Sequence, residues 1–258
     1  MKISIITVCL NSEATIKDAI DSVNNQTYLD IEHIIVDGVS KDRTLNIVMR
    51  SKGKNSRITR VISEPDSGLY DAMNKGVKLA TGDIVGILNA DDFYFNNEVL
   101  GRVAQSFEVN DIDACYGNLV YVERDNIGKI KRYWKAGEYE QRRLKYGWMP
   151  PHPTFFCKRD VYSKQGLFNL NFNIAADYEF MLRVLKRGIK IAYIDESLVY
   201  MRECGHSAKS LKQRIAGWSE LYMAWRVNGF CVPIFMVVAR ILFKIQQYFI
   251  VCSAAKYK

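Results

Sequence analysis

The 258-residue chain lacks any short-range cysteine pair; its six cysteines stand alone at positions 9, 115, 157, 204, 231 and 252. That spacing argues against a zinc knuckle and gives no disulfide framework, so a reducing compartment is the simpler reading. Neither G-x-x-x-x-G-K-[ST] nor G-x-G-x-x-G occurs, which disfavours the usual ATPase and dinucleotide-binding classes. Long apolar runs are missing as well. The opening MKISIITVCLN holds an apolar stretch of only about eight residues, shorter than a signal peptide needs, and reads as a strand. There is no internal repeat, low-complexity tract or flexible interdomain linker.

What is present is a core. At 48 % hydrophobic residues, the chain has the composition and length of one large domain with at most a modest appendage. The net charge of +8 is unevenly placed, because residues 201–258 hold nine Lys/Arg against two Glu and the first 200 are close to neutral. A uniformly basic surface would suggest nucleic acid, whereas a basic tail suggests a local role, and no nucleic-acid partner is expected. The tail also carries Val232 to Ala239 and Ile241-Leu242-Phe243, interrupted by Arg240. Such a run is too short and broken to span about 30 Å of hydrocarbon. Residues 206–258 are therefore expected to form a helical, basic and apolar extension that lies in an anionic membrane interface. The alternative is a helix that closes the core or makes a homodimer contact.

Strands and helices alternate through the first third. Lys2 to Val8 is rich in β-branched residues, and Asn11-Ser12 can cap a helix whose Ala14, Ile16, Ala19, Ile20 and Val23 recur at helical spacing. Strands are expected at 31–36, 60–63 and 84–88, with helices at 43–50 and 69–80. This alternation predicts right-handed crossovers and an α/β fold with a mostly parallel sheet flanked by helices. After Asn96 a helix, a hairpin (119–123 with 129–134), and helices at 160–164, 176–186 and 209–225 are expected, with a strand at 189–194. Pro150-Pro151-His152-Pro153 argues against helix there.

In a parallel sheet ligands sit beyond the carboxyl ends of the strands, and Asp37, Asp66 and Asp91 all fall at such ends. Asp91 and Asp92 end an apolar run in ILNADDFY. A hard divalent ion takes oxygen ligands and leaves positions open for phosphate. Asn89 is a poorer ligand, so Asp91 is preferred, with Asp92 orienting. Asp37 and Asp42 bracket a polar turn and can receive a nucleobase N–H or ribose hydroxyls, or simply make the turn and cap the helix. Asp177 near the start of a helix is either a cap or a general base. His152 is clamped between prolines, and His206 and Lys209 at the base of the tail are weaker candidates for phosphate contact.

The stretches ISIITVCLNSEATIKDAIDSVNNQTY, IIVDGVSKDRT, EPDSGLYDAMNKGVKLATGDIVGILNADD, HPTFF and AADYEFMLR together resemble the inverting nucleotide-sugar glycosyltransferases of family 2. The likeness runs to about residue 200 and is strongest to bacterial enzymes of O-antigen, capsule or exopolysaccharide assembly. It implies a GT-A fold over residues 1–205, with about 1–95 binding the nucleotide sugar and about 96–205 the acceptor. It further implies that Asp37 reads the uracil or ribose of a UDP-sugar, that Asp66, Thr7, Asn89, Ala90 and Asp92 line the donor pocket, and that Asp91 holds Mn²⁺ or Mg²⁺. Asp177 becomes the base of an acid–aspartate motif whose preceding acid is here Ala176, and Glu179 joins His152 on the acceptor side. The implied reaction is hexosyl transfer, glucose or galactose favoured, to a polyprenyl-diphosphate-linked HexNAc. The implied location is the cytoplasmic face of the bacterial inner membrane, as a peripheral protein. Two other classes fit the chain less well. A nucleotidyltransferase needs a glycine-rich basic loop where this chain has CLNSEAT, and a non-catalytic binding module would use the acids for a structural cation.

Overall fold

The computed structural model describes residues 1–54, 57–203 and 211–232, and beyond them 235, 236, 238–240, 242, 245 and 247. His206 and Lys209 lie outside the described residues.

The first half is built as the alternation predicts. Strands β1 (Ile3–Cys9) and β2 (Ile31–Asp37) are buried at every position, which is why they read as near-continuous apolar runs. With β3 (Ile58–Ser63) and β4 (Ile84–Ile87) they form the parallel order β3-β2-β1-β4. Helix α1 (Ile16–Asn24) buries Ile16, Ala19, Ile20 and Val23, and α3 (Leu69–Leu79) buries Tyr70, Met73 and Val77. Ile6, Val8, Ile34 and Val36 pack with the α3 residues, while Ile3 and Ile5 pack with Ala19 and Val23. Alternate residues thus serve opposite faces, each buried Ile or Val stabilising by about 1.5–3 kcal/mol. Helix α2 (Thr44–Lys54) adds Val48.

The expectation of a mostly parallel sheet of the GT-A kind is corrected by the second half. The nine strands form one mixed sheet. Beyond β4 lie β5 (Phe93–Tyr94), β6 (Ala114–Val122), β7 (Ile130–Trp134), β8 (Phe156–Lys158) and β9 (Ile191–Arg202). Their pairings β4–β8, β8–β6, β6–β7 and β5–β9 are antiparallel, and only β6–β9 is parallel. The physical cause is a late strand inserted into the middle: Gly86 of β4 faces Phe156 of β8 in register. A Cβ on Gly86 would stand 2.4 Å from the Phe156 ring, so its absence lets the aromatic ring cover the strand.

Three smaller corrections concern local chemistry. α1 starts at Ile16 rather than after Ser12, because the Ser12 carbonyl accepts from both the Thr15 and Ile16 N–H groups in a preceding turn. The proline segment contains one 3₁₀ turn, His152–Thr154. The 160–164 helix, α5, runs Arg159–Gln165, and α4 is Val99–Val109. Helix α6 (Ala176–Lys186) falls where the periodicity placed it, and α7 (Leu211–Val227) packs on it through Leu221, Ala224 and Trp225. The start of the tail is therefore docked in the core.

At the sheet's opposite end, buried Glu32 ties β1, β2 and the turn before β4 together. Its carboxylate accepts from Ser4 Oγ, from the Thr81 N–H and hydroxyl, from the Gly82 N–H and from Lys2 Nζ. Burial alone would raise its pKa, yet the bonds from Ser4, Lys2 and Thr81 outweigh it and hold the group at about 2. A depressed carboxyl pKa contributes stability above the unfolded value of about 4.3 that is lost as pH falls toward the folded one. Glu32→Gln should cost about 1–3 kcal/mol at pH 7 and should flatten the loss of stability between pH ~4.5 and ~2; urea titrations of both proteins across that range check this.

Candidate active site

Two loops at the carboxyl end of the sheet are bonded to each other. Asn11 N–H donates to Ser40 Oγ (2.8 Å), Lys41 N–H to Asn11 Oδ1 (2.8 Å), Ser12 N–H to Thr44 Oγ1 (2.7 Å), and Glu13 N–H to Asp42 Oδ2 (3.1 Å). Asn11 and Val39 adopt left-handed backbone conformations, φ 49° and 63°. Such geometry in a β-branched residue costs energy and clusters at functional sites. Asp42 caps α2, accepting from the Thr44 N–H and hydroxyl. Its pKa is lowered, since these bonds outweigh desolvation.

Asp37, fully buried at the tip of β2, holds this turn from below. Its Oδ2 accepts from Ser40 N–H (3.1 Å) and Ser63 Oγ (2.7 Å), and its Oδ1 from Ser40 Oγ. Asp66 is its neighbour: a Cβ on Gly38 would stand 2.5 Å from Asp66 Oδ2. Asp66 Oδ1 accepts from Gly68 N–H (2.9 Å). Thr7 is turned inward instead, within 2.9 Å of His33 Nε2, and burial lowers His33 to about 3, so the ring is neutral.

The Asn89–Asp92 segment treats its two acids differently. Asp92 is buried, 1 % exposed, and Asn89 Nδ2 donates to its Oδ2 (3.2 Å). Burial, with the Asp91 charge beside it, pushes the Asp92 carboxyl well above the usual range. Asp91 remains half-buried, and its backbone carbonyl accepts from Arg202 Nη1 (2.8 Å). Arg202, 4 % exposed, also pairs with Asp18 and lies 4.9 Å from the Phe93 ring centre. Ala90 packs with Cys9, whose thiol approaches Asp37 Oδ1 at 3.7 Å; this contact joins the Asp91 segment to the Asp37 turn.

Among the described residues no group of three or more His, Cys, Asp or Glu is placed to hold a metal ion. A hard cation at this segment would have one solvent-facing protein carboxylate, Asp91, and would need its remaining oxygen ligands from phosphate and water. Asn89 Oδ1 and Asp92 Oδ1 on the same segment are buried and without partners.

Asp177 opens α6. The Tyr70 hydroxyl, at the start of α3, lies 2.9 Å from its Oδ1 and 2.8 Å from the Ile174 carbonyl. Burial and the Asp177 charge raise the Tyr70 pKa well above its ordinary value, so the phenol stays a donor. Half-buried His152 feels Asp177 electrostatically, but desolvation dominates and lowers its pKa. Glu179, two residues along the helix, points elsewhere. It is buried, and Arg183 (2.9 and 3.0 Å) and Asn228 (2.9 Å) occupy its oxygens. A hollow of about 530 Å³ lined by Ser22, Asn25, Tyr94, Asn96 and Asn97 shares no residue with this set.

The structure therefore places Asp66 beside Gly38 next to Asp37 and bonds Asp177 to Tyr70, four residues on from Asp66, with His152 within electrostatic reach of Asp177 and Asn89–Asp92 joined through Ala90 and Cys9. Thr7 and Glu179 stand apart from these residues. Sequence reasoning missed Tyr70, although it sits inside DSGLYDAMNKG, because only the acids there were weighed. Arg202 and Ser63 gave no local signal.

Carboxylates gather at the strand tips of this mixed α/β sheet, and the class of the protein follows from its likeness to known proteins. Residues 4–166 match the family described as Glycosyl transferase family 2. A PGL/p-HBAD biosynthesis glycosyltransferase of Mycobacterium tuberculosis is 35 % identical over 184 residues, covering 70 % of this chain and 68 % of that protein. An uncharacterized glycosyltransferase of Bacillus subtilis, EpsJ, is 26 % identical, covering 83 % and 64 %. In three dimensions the chain shares its fold with S. aureus TarS 1-349 in complex with UDP-GlcNAc (TM-score 0.69, 20 % identity, 88 % of this chain and 65 % of that one). The same holds for the mannosyltransferase PcManGT from Pyrobaculum calidifontis in complex with GDP-Man and Mn²⁺ (TM-score 0.67, 16 % identity, 94 % and 69 %). The chain belongs to glycosyl transferase family 2 and is a glycosyltransferase.

The two aspartates are separable by experiment. A carboxyl whose folded pKa is raised lends stability below its unfolded pKa of about 3.9 and loses it as pH rises. Asp92→Asn, a neutral isostere, should match the wild-type melting temperature near pH 4 and equal or exceed it at pH 8, as read by calorimetry. A large loss at pH 8 would mean that Asp92 is ionised in the fold.

Proposed function

We propose that the protein transfers a hexose, glucose or galactose, from a UDP-sugar to a polyprenyl-diphosphate-linked HexNAc or oligosaccharide, with inversion, during assembly of a bacterial surface polysaccharide. The observation that carries this reading is the contiguity of the nucleotide-side turn, Asp37, Gly38 and Asp66, with Asp177 through Tyr70. One carboxylate set meets the nucleotide while a separate carboxylate stands ready for a proton.

In this reading the zipped loops around Ser40 and the Asp37–Asp66 turn hold the nucleoside, and Leu10 and Val39, both exposed, give it an apolar flank. Asp177 accepts the proton of the acceptor hydroxyl. The oxygen forms a bond to the anomeric carbon while the bond to the diphosphate breaks, its electron pair leaving with UDP. Attack opposite the leaving group converts an α-linked donor into a β-glycoside, with no covalent sugar intermediate. Tyr70 fixes Asp177 and, being neutral, does not compete for the proton. Mn²⁺ or Mg²⁺ held by Asp91 would supply positive charge against the diphosphate.

The setting follows from the tail. Among the described residues no helix is long and apolar enough to cross a membrane. Phe235, Val238, Leu242 and Ile245 are exposed at three- and four-residue spacing beside the basic residues of the tail. An apolar stripe with cationic flanks suits an anionic bilayer surface, and a lipid-linked acceptor is found there. This supports a peripheral enzyme at the cytoplasmic face of the inner membrane.

Incubation with UDP-glucose, UDP-galactose and their acetamido relatives, a lipid-diphosphate HexNAc and Mn²⁺ should give UDP and a β-linked product. Asp177→Asn and Asp91→Ala should each lower the transfer rate by about 100-fold or more. Binding of donor without turnover would contradict the reading. Phe235→Asp with Val238→Asp should release the protein from anionic vesicles in a sedimentation assay; unchanged binding would remove the membrane argument.

A further inference from the structure

Helix α6 begins without a cap of its own. Its N-cap residue, Ala175, has no side chain to receive the free N–H groups of the first turn. Those of the preceding turn are received by a residue 45 positions away: Glu220, on α7, accepts from Asn173 N–H at 3.0 Å, Ile174 N–H at 2.9 Å and Ala175 N–H at 2.8 Å. The carboxylate is 9 % exposed. Three charge-assisted bonds from consecutive amides hold this turn, and the negative charge sits at the positive end of the α6 dipole. One helical turn earlier on α7, Gly217 lies against Ile174, its Cβ position 3.5 Å from the Ile174 side chain.

The turn so held is the one that carries Asp177. Tyr70 reaches it from the opposite side, within hydrogen-bond distance of the Ile174 carbonyl and of Asp177 Oδ1. The segment 173–177 is thus fixed through its amides by α7 and through its carbonyl and carboxylate by α3. We infer that Glu220 is a positioning residue for Asp177, and that the C-terminal helix is part of the catalytic assembly as well as a route toward the membrane. The inference rests on the reading of Asp177 as the base. Glu220 itself is saturated by the three amides. Its action is geometric: without it the turn has three unpaired amides and can shift the carboxylate relative to the acceptor oxygen, where displacements near 1 Å cost about 100-fold in rate.

A role confined to stability would lower melting temperature and leave turnover per folded molecule unchanged. The test uses the full chain and four variants: Glu220→Gln, Glu220→Asp, Val103→Ala and Asp177→Asn. Val103, on α4, is fully buried in a cluster that holds none of the Asp177 turn, so its truncation supplies a destabilised control. Melting temperature, UDP affinity by calorimetry, and kcat and KM for the donor are measured well below the lowest melting temperature. We expect Glu220→Gln to lower kcat by about 10- to 100-fold with UDP affinity and donor KM within about twofold, and Val103→Ala to keep kcat. Glu220→Asp, which keeps the charge and shortens its reach, should lose less, and it stands in if Glu220→Gln does not fold. The inference is overturned if the Glu220 variants keep wild-type kcat, or if Val103→Ala loses as much kcat for the same drop in melting temperature. Asp177→Asn separates the two claims: if it is inactive while the Glu220 variants are not, only the positioning role falls, whereas an active Asp177→Asn removes both.

Discussion

The contact between Tyr70 and Asp177 joins the two halves of the molecule. Tyr70 begins the helix that follows the Asp66 turn, and Asp177 begins α6, 107 positions later. A phenol kept neutral by burial can only donate to a carboxylate, so the bond has one direction. Around it the structure is arranged to hold distances: Asp37 ties Ser40 to Ser63 beneath the donor turn, and Glu220 ties the far side of the Asp177 turn to α7. Rigid framing of this kind gives a base a fixed approach to a hydroxyl.

Burial assigns different work to carboxylates that look alike. Asp91 and Asp92 are adjacent, yet Asp92 is enclosed, its pKa raised by burial and by the Asp91 charge, while Asp91 is half-exposed. Enclosing one leaves a single carboxylate open to solvent, the one proposed for a cation that takes most of its ligands from a diphosphate. Asp177 and Glu179 show the same division on one helix. A two-residue step turns roughly 200° around the axis, which puts Glu179 against Arg183 in the core and Asp177 beside Tyr70.

These facts explain what could be read from the chain alone. Strands β1, β2 and β4 were legible because they are buried at every position and read as apolar, β-branched-rich runs, and the acids near their ends followed from that pattern. The mixed half was not legible, because β5 has two residues and β8 three. Elements so short carry no period, and their pairing is decided by fits such as Phe156 over Gly86. Asp37, Asp66, Asp91 and Asp177 were visible as residue types at suggestive places. Their partners were invisible for a different reason: Tyr70, Arg202 and Glu220 act across 107, 111 and 45 positions, and no local pattern records such reach. For Asp92 and Glu179 a sequence shows only an acid, whereas the fold decides how deeply it is buried and which way it faces.

A crystal structure with UDP and Mn²⁺ decides whether the proposed nucleotide site at the Asp37–Asp66 turn and Asp177 share one cavity. The uracil and ribose should lie against Asp37, Asp66 and the Ser40 loop, with the diphosphate and its cation at Asp91, and Asp177 open to the space beyond the β-phosphate. UDP bound elsewhere, or Asp177 screened from that space, would contradict this arrangement.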